Sequence, residues 1–262
     1  MATITLNFLS KAHTDLLNSI KGYTDTEEWL VTNKRFVAFF DILGFKDLVL
    51  RNTHETIFEK LNEISNLKDG LNPNIIDKEF SNDGIKPLEV VTFSDSIVIF
   101  SKNNTVESFK IFIQSVNWFF SQIIEKEIPI KGAIAYGDIS IDSVKQIFFG
   151  QPLIDAFLLQ EDVDYFGVVA HNSIDAFIQE YNLFQDIEEY VFEIQTPLKS
   201  GKITHLNLRY FPFLIYDEVD KMNLYLEKFK VSMSGRPRKY LENTISLYGQ
   251  YVQRLNISVS GT

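Results

Sequence analysis

The apolar residues between positions 35 and 161 switch repeatedly between two spacings, and this switching constrains the fold more than any other feature. Residues 36–40 (Phe-Val-Ala-Phe-Phe) form a continuous apolar run that reads as a buried strand, ended by Asp41 and Gly44. Leu48, Val49, Ile57, Phe58, Leu61 and Ile64 then fall at helical spacing, which predicts a helix over 46–67. Residues 88–100 read as two strands folded back at Ser94-Asp95. Phe109, Phe112, Val116, Phe119 and Ile123 return to helical spacing, and 129–140 reads as a strand interrupted by Gly132 and Gly137. The order β-α-β-β-α-β is the split βαβ arrangement of ferredoxin-like folds. It predicts an α+β protein with a mainly antiparallel sheet and its helices on one face.

Outside this block the pattern is simpler. Residues 12–21 predict a helix, and Thr24-Asp25-Thr26-Glu27-Glu28 reads as the start of another. Residues 68–86 are turn-rich. A short strand over 146–150 precedes a helix over 151–161, whose Pro152 fits a first turn. A strand over 165–170, a helix over 173–180 and a hairpin from 191–195 and 206–214 follow, then helices over 217–230 and 238–255. We divide the chain into a helical or extended segment at 1–34, a domain at 35–215 and a C-terminal helical extension at 216–262.

Composition narrows the function. Twenty-five basic against 35 acidic residues leave a net charge of −10, so nothing general draws the chain to nucleic acid or anionic membrane. An anionic ligand therefore needs a local site. With no cysteine, thiolate metal sites, iron–sulfur clusters and cysteine nucleophiles are excluded. No apolar run approaches the roughly 18 residues of a membrane span, and the N-terminus lacks the order of a secretory signal. The chain reads as a soluble cytoplasmic protein. There is no Walker A, GxGxxG or GxSxG sequence, and His13, His54, His171 and His205 show no ligand spacing.

Two acids carry the chemistry. In a ferredoxin-like sheet the first and third strands are neighbours, which brings Asp41 at the end of one towards Asp95 at the turn into the other. Singly, Asp41 reads as a helix cap and Asp95 as a turn acid. As a pair followed by Gly44 they read as a site for Mg²⁺, which takes one or two carboxylates and leaves room for phosphate oxygens. Lys46 and the backbone N–H groups of Gly44 and Phe45 are placed to meet a triphosphate.

Phe40-Asp41-Ile42-Leu43-Gly44-Phe45 and Phe93-Ser94-Asp95-Ser96-Ile97 resemble the two metal motifs of class III nucleotidyl cyclases. Gly132-Ala133-Ile134-Ala135-Tyr136-Gly137-Asp138 is similar to their fourth-strand segment, and Phe149-Gly150 with its helix resembles the elements that complete their site. Together with Gly150-Gln151-Pro152-Leu153-Ile154-Asp155-Ala156 and Lys239-Tyr240-Leu241-Glu242-Asn243-Thr244, these look like the pyrimidine nucleotide cyclases of the bacterial anti-phage system Pycsar. The resemblance implies a homodimer with its active sites at the interface. It implies two Mn²⁺ or Mg²⁺ ions per site, held by Asp41, Asp95 and the Ile42 carbonyl. It further implies conversion of UTP, or alternatively CTP, to the 3′,5′-cyclic monophosphate, read by a separate effector protein.

Two positions that read a purine in the wider family are Val91 and Ile147 here. A pocket without those polar readers is not built for adenine, because hydrogen-bonding sites discriminate by the cost of unpaired polar groups. Read without the resemblance, both are equally core residues of strands. Bulky Phe40 could fill the space of a purine, and the Thr92 hydroxyl suits either pyrimidine. The chain departs from the family where an asparagine and an arginine, four residues apart, follow the glycine. Those positions are Ile154 and Leu158. Phosphoryl transfer needs positive charge on the leaving oxygens, so another cation must supply it. Lys131, Lys199, Lys202, Arg236 and Arg238 are the candidates, with Lys131 assigned a catalytic role and Lys199 and Lys202 a phosphate-binding one. Two other readings stand beside this one: a catalytically silent nucleotide-binding dimer, motivated by the missing pair, and a purine cyclase with an altered base pocket.

Overall fold

The computed structural model describes residues 11–25, 27–71, 86–210, 219–232 and 234–254. Their elements run α1 (Lys11–Gly22), β1 (Thr32–Ile42), α2 (Phe45–Arg51), α3 (His54–Asp69), β2 (Leu88–Phe93), β3 (Ser96–Ser101) and α4 (Val106–Glu125). Then come β4 (Ile130–Asp142), β5 (Ile147–Gly150), α5 (Gln151–Asp162), β6 (Val168–Ala170), α6 (Asn172–Glu180) and α7 (Phe184–Ile187). The chain continues through β7 (Val191–Leu198), β8 (Gly201–Leu208), α8 (Val219–Ser232) and α9 (Arg236–Arg254).

The described strands form one sheet in the order β2-β3-β1-β4-β6-β8-β7, with β5 pairing on β4. Its first four strands have the ferredoxin-like order, and among the described strands only the β4–β6 pairing is parallel. The predicted α+β class, the β1–β3 neighbourhood and the antiparallel character are all present.

Helices cover both faces of the sheet, not one. Alternation along β1 sends Phe36, Ala38, Phe40 and Ile42 into the main core. There Phe36 meets Phe109 and Phe112 of α4 at 4.8 and 5.7 Å, and Phe40 meets Phe119 at 5.7 Å. The intervening residues face α5: Val37 joins a second apolar cluster, and Phe39 packs edge-on against Phe157 at 5.4 Å. The apolar spacing of residues 151–161 indicated a helix but did not say which side it would cover. The Trp118-Phe119-Phe120 stretch is core, as its helical spacing requires.

Local differences have local causes. The helix expected over 46–67 is two helices, because Thr53 caps a new start by accepting from the Thr56 N–H at 3.3 Å. Asp25 starts no helix. Its carboxylate accepts from the Glu27 N–H, Tyr23 and Asn103 and pairs with Lys102, which fixes a turn instead. The closing hairpin is longer and tighter than expected, with β7 and β8 paired from Val191↔Leu208 to Leu198↔Gly201. Most of the turn-rich stretch, the hairpin end at 211–214 and the side chain of Arg236 lie outside the described residues.

Candidate active site

β1 and the β2–β3 turn bring the two acids together. Asp41 sits opposite Ser96 in the β1–β3 ladder, and the Ile42 N–H donates to the Asp95 carbonyl at 3.0 Å. Ser94 adopts the left-handed conformation (φ 56°) that a two-residue hairpin turn demands, so Asp95 is held at the strand end. After Ile42 the chain reverses through Gly44, whose φ of 74° favours glycine, into α2.

On its other side β1 pairs with β4, and Asp41 faces Lys131 directly. Directly opposed residues share a sheet face, so both point to the α5 side. The Lys131 ammonium, on a residue only 2% exposed, donates to the Gln160 and Glu161 carbonyls at 2.9 and 3.4 Å. These carbonyls lie in the last turn of α5, the negative end of its dipole. Gly132 lets β1 and β4 stay this close: a Cβ there would lie 2.7 Å from the Phe40 ring and 2.9 Å from the Phe39 carbonyl oxygen.

The β7–β8 turn is tied to the same helix end. The Lys199 and Ser200 N–H groups donate to Asp162 at 2.7 and 2.9 Å, and Lys199 pairs with Glu161 at 4.0 Å. The result is an open cavity of about 420 Å³ whose lining includes Asp41, Gly44, Lys131, Glu161, Lys199 and Tyr240.

Electrostatics follow from this crowding. Burial pushes the Asp41 carboxyl up from 3.8 to about 6; Lys131 and Lys199 pull it down, and the charges of Asp95 and Glu161 add to the rise. Burial lowers Lys131 and Lys199 adds to that, while Asp41, Glu161 and Asp164 oppose it. A buried carboxylate beside two other acids favours a bound cation. Among the described residues no three of His, Cys, Asp and Glu gather into a metal cluster. Two carboxylates nonetheless suit Mg²⁺, which takes its remaining ligands from water and substrate phosphates. The donor set therefore fits the ion.

The predicted residues divide in two groups. Asp41, Gly44, Lys131 and Lys199 line one cavity, with Asp95 in electrostatic contact with Asp41. Lys46 is exposed on α2 and Lys202 on β8, and neither lines the cavity. Arg238 is occupied elsewhere, donating to Glu242 and to the Lys230 carbonyl. The four base-reading candidates do not converge. Phe40 is fully buried under α4, a correction forced by the alternation of β1. Thr92 lines a separate hollow with Leu61, Ile64 and Ser65 on the α3 side, away from Asp41. Val91 packs with the second cluster on the α5 side, and Ile147 is 47% exposed on β5. Asp47, Glu161, Phe166, Pro237 and Tyr240 also line the cavity. Sequence reasoning missed them because no spacing links a helix end at Glu161 to a C-terminal helix nearly 80 residues later.

No protein-family model and no curated protein matches the chain. Solved structures do resemble it. A bacterial light-regulated adenylyl cyclase aligns at TM-score 0.47 and 13% identity, over 74% of this chain and 56% of that one, so the chain spans little more than half its length. The catalytic core of a rhodopsin-guanylyl cyclase with converted specificity, in complex with ATPalphaS, aligns at TM-score 0.46 and 16% identity, over 67% and 94%. A class III adenylyl cyclase-like ATP-binding protein from Pseudomonas aeruginosa aligns at 0.43 and 11%, over 94% and 52%. Likenesses this distant establish neither family nor activity.

Proposed function

We propose that this protein is a metal-dependent nucleotidyl cyclase that converts a pyrimidine triphosphate, UTP before CTP, to the 3′,5′-cyclic monophosphate and pyrophosphate. The observation that carries the reading is the meeting of Asp41 and Asp95 at adjacent strand ends, beside a cavity into which Lys131 and Lys199 also reach. The carboxylates of Asp41 and the neighbouring Asp95, with the ammonium groups of Lys131 and Lys199 at the cavity, suit a polyphosphate with divalent cations.

Asp41, Asp95 and the Ile42 carbonyl would hold Mg²⁺ or Mn²⁺, two per site, which when bound lower the pKa of the ribose 3′-hydroxyl and offset charge on the pyrophosphate. The Gly44-Phe45 turn and Lys199 bind the triphosphate. Lys131 supplies the positive charge that the Ile154 and Leu158 positions lack. The 3′-oxygen attacks the α-phosphorus, the bond to the β-phosphate bridging oxygen breaks, and the hydroxyl proton passes to solvent. The reaction is intramolecular, so fixing the ribose and α-phosphate removes much of the entropic barrier.

Val91 and Ile147 are the proposed base contacts, although in the single chain they lie apart, Val91 in the second apolar cluster and Ile147 exposed on β5. Their apolar side chains offer none of the hydrogen bonds that select adenine or guanine. The proposed homodimer is supported by exposed apolar side chains along α5 and β5: Ile154, Phe157, Leu158 and Phe149 are 41–62% exposed. A patch of this kind marks an interaction surface. The role in anti-phage defence and the separate effector rest on the motif resemblance alone. No described helix is long and apolar enough to cross a membrane.

The test is incubation of the purified protein with Mn²⁺ and UTP, CTP, ATP or GTP singly, with products identified by mass. A cyclic pyrimidine monophosphate is expected. A cyclic purine keeps the cyclase and overturns the reading of Val91 and Ile147. Binding without turnover favours the silent dimer, which the missing asparagine and arginine also motivate.

A further inference from the structure

The motif Lys239-Tyr240-Leu241-Glu242-Asn243-Thr244 has a structural task that its sequence does not announce. It seats α9 on the short connection between α5 and β6. The Lys239 ammonium pairs with the buried Asp164 carboxylate at 2.5 Å. The Asn243 amide donates to the Asp164 carbonyl and carboxylate at 2.7 and 3.1 Å. The Thr244 hydroxyl accepts from the Phe166 N–H at 2.8 Å. All four contacts fall on Asp164 and Phe166 of one five-residue connection, so this part of α9 has little freedom to slide or roll.

This seat brings the Tyr240 ring over Lys131, with the ammonium 5.9 Å from the ring centroid. Lys131 is thus surrounded in a defined way. Helix-end carbonyls accept its hydrogen bonds on one side, an aromatic face covers another, and Asp41 lies across the ladder. A lysine is a flexible point charge with three rotatable donors. Held like this it becomes a fixed one, because an ammonium withdrawn from water is attracted by the aromatic face it lies over.

We infer that α9 is part of the site and that Tyr240 is a positioning residue, its ring fixing the Lys131 ammonium at the wall of the Asp41 cavity. The consequence for turnover rests on the cyclase reading above; the fixing of Lys131 does not.

The experiment separates the two. Protein labelled with ¹⁵N-lysine is examined for the side-chain ammonium signal of Lys131, assigned by its disappearance in Lys131→Met. An ammonium held away from water gives such a signal and a mobile hydrated one loses it to exchange. The signal is expected in the wild type and in Tyr240→Phe, which keeps the ring, and is expected to vanish in Tyr240→Leu at unchanged melting temperature. If the leucine variant does not fold, Tyr240→Met replaces it. A signal retained in the folded variant without the ring, or absent from the wild type, overturns the inference. In turnover, the ringless variant should lose about tenfold in kcat with little change in KM, as for a misplaced catalytic group, and Tyr240→Phe should restore it. A ringless variant with wild-type kcat overturns the inference. A wild type that turns over no nucleotide, yet shows the expected signals, sinks the cyclase reading and upholds the positioning of Lys131.

Discussion

Asp41 and Lys131 face each other across the β1–β4 ladder, and burial moves both towards neutrality, the acid upward to about 6 and the amine downward. Neither group fully cancels the other, because Lys131 also answers to Glu161 and Asp164 and Asp41 also answers to Asp95. Around this pair the acids outnumber the bases: Asp41, Asp47 and Glu161 line the cavity against Lys131 and Lys199, with Asp95 beside Asp41. That excess of negative charge suits the divalent cation of the proposed reading, and it leads to the following expectations.

Asp95→Asn keeps the shape of the turn and removes one of the two carboxylates. Turnover should fall by about a hundredfold or more, on the scale of removing one preorganised electrostatic group. The melting temperature without metal should hold or rise, since a charge near Asp41 is gone. Initial rates and thermal denaturation check both. Full activity in this variant sinks the assignment of Asp95.

The stability of the metal-free protein should fall as pH rises. Asp41 has a folded-state pKa of about 6 against an ordinary 3.8, so the folded chain holds this proton more tightly than the unfolded one. The stability it contributes is fully present below about pH 4 and is lost as pH rises through about 6. Mn²⁺ should therefore raise the melting temperature at pH 7.5 and barely change it at pH 5. A melting series with EDTA and with Mn²⁺ measures this.

Phe40 and Gly132 act as one packing unit on the α4 face, opposite the side of the sheet on which Val91 packs. Phe40→Ala should cost about 3–5 kcal/mol by opening a core cavity, without changing the order of preference among nucleotides. Gly132→Ala should destabilise by roughly 1–3 kcal/mol, because the added methyl meets the Phe40 ring and the Phe39 carbonyl. Urea denaturation gives the energies. A purine preference emerging in Phe40→Ala would return Phe40 to the base pocket.

Leu158→Asp places a charge in the exposed apolar strip of α5. The variant should sediment as a monomer and the wild type as the proposed dimer. It should lose most turnover without losing its fold, because the residue is 59% exposed in the single chain. Analytical ultracentrifugation and circular dichroism check this. An active monomer would count against sites built between protomers.

Much of the fold was legible because it depends on local periodicity. The apolar run at 36–40, the paired strands around Ser94-Asp95 and the helical spacing of Phe109 to Ile123 each appear where expected. Their order leads to the four-strand arrangement that makes β1 and β3 neighbours. Two of the local differences share one reason: a side chain bonded to a nearby backbone group. Thr53 split one helix, and Asp25 made a turn in place of another.

The candidate site was legible in its acids and illegible in its walls. Asp41 and Asp95 stand out because strand ends and tight turns leave recognisable residues, and strand order alone brings them together. The choice among five candidate cations was beyond the sequence, since each is a basic residue beside a glycine, a turn or a helix end. Tertiary structure engages Arg238 elsewhere, leaves Lys202 outside the cavity and brings Lys131 and Lys199 to the end of α5. It also sends Phe40 and Val91 to opposite faces of the sheet and sets Tyr240 above Lys131. The sequence determined which segments are strands and helices and which acids end them, because those depend on neighbours within a few positions. Only the tertiary structure decided which charge meets which, because packing distances between α5, β7–β8 and α9 are fixed by side chains far apart in the chain.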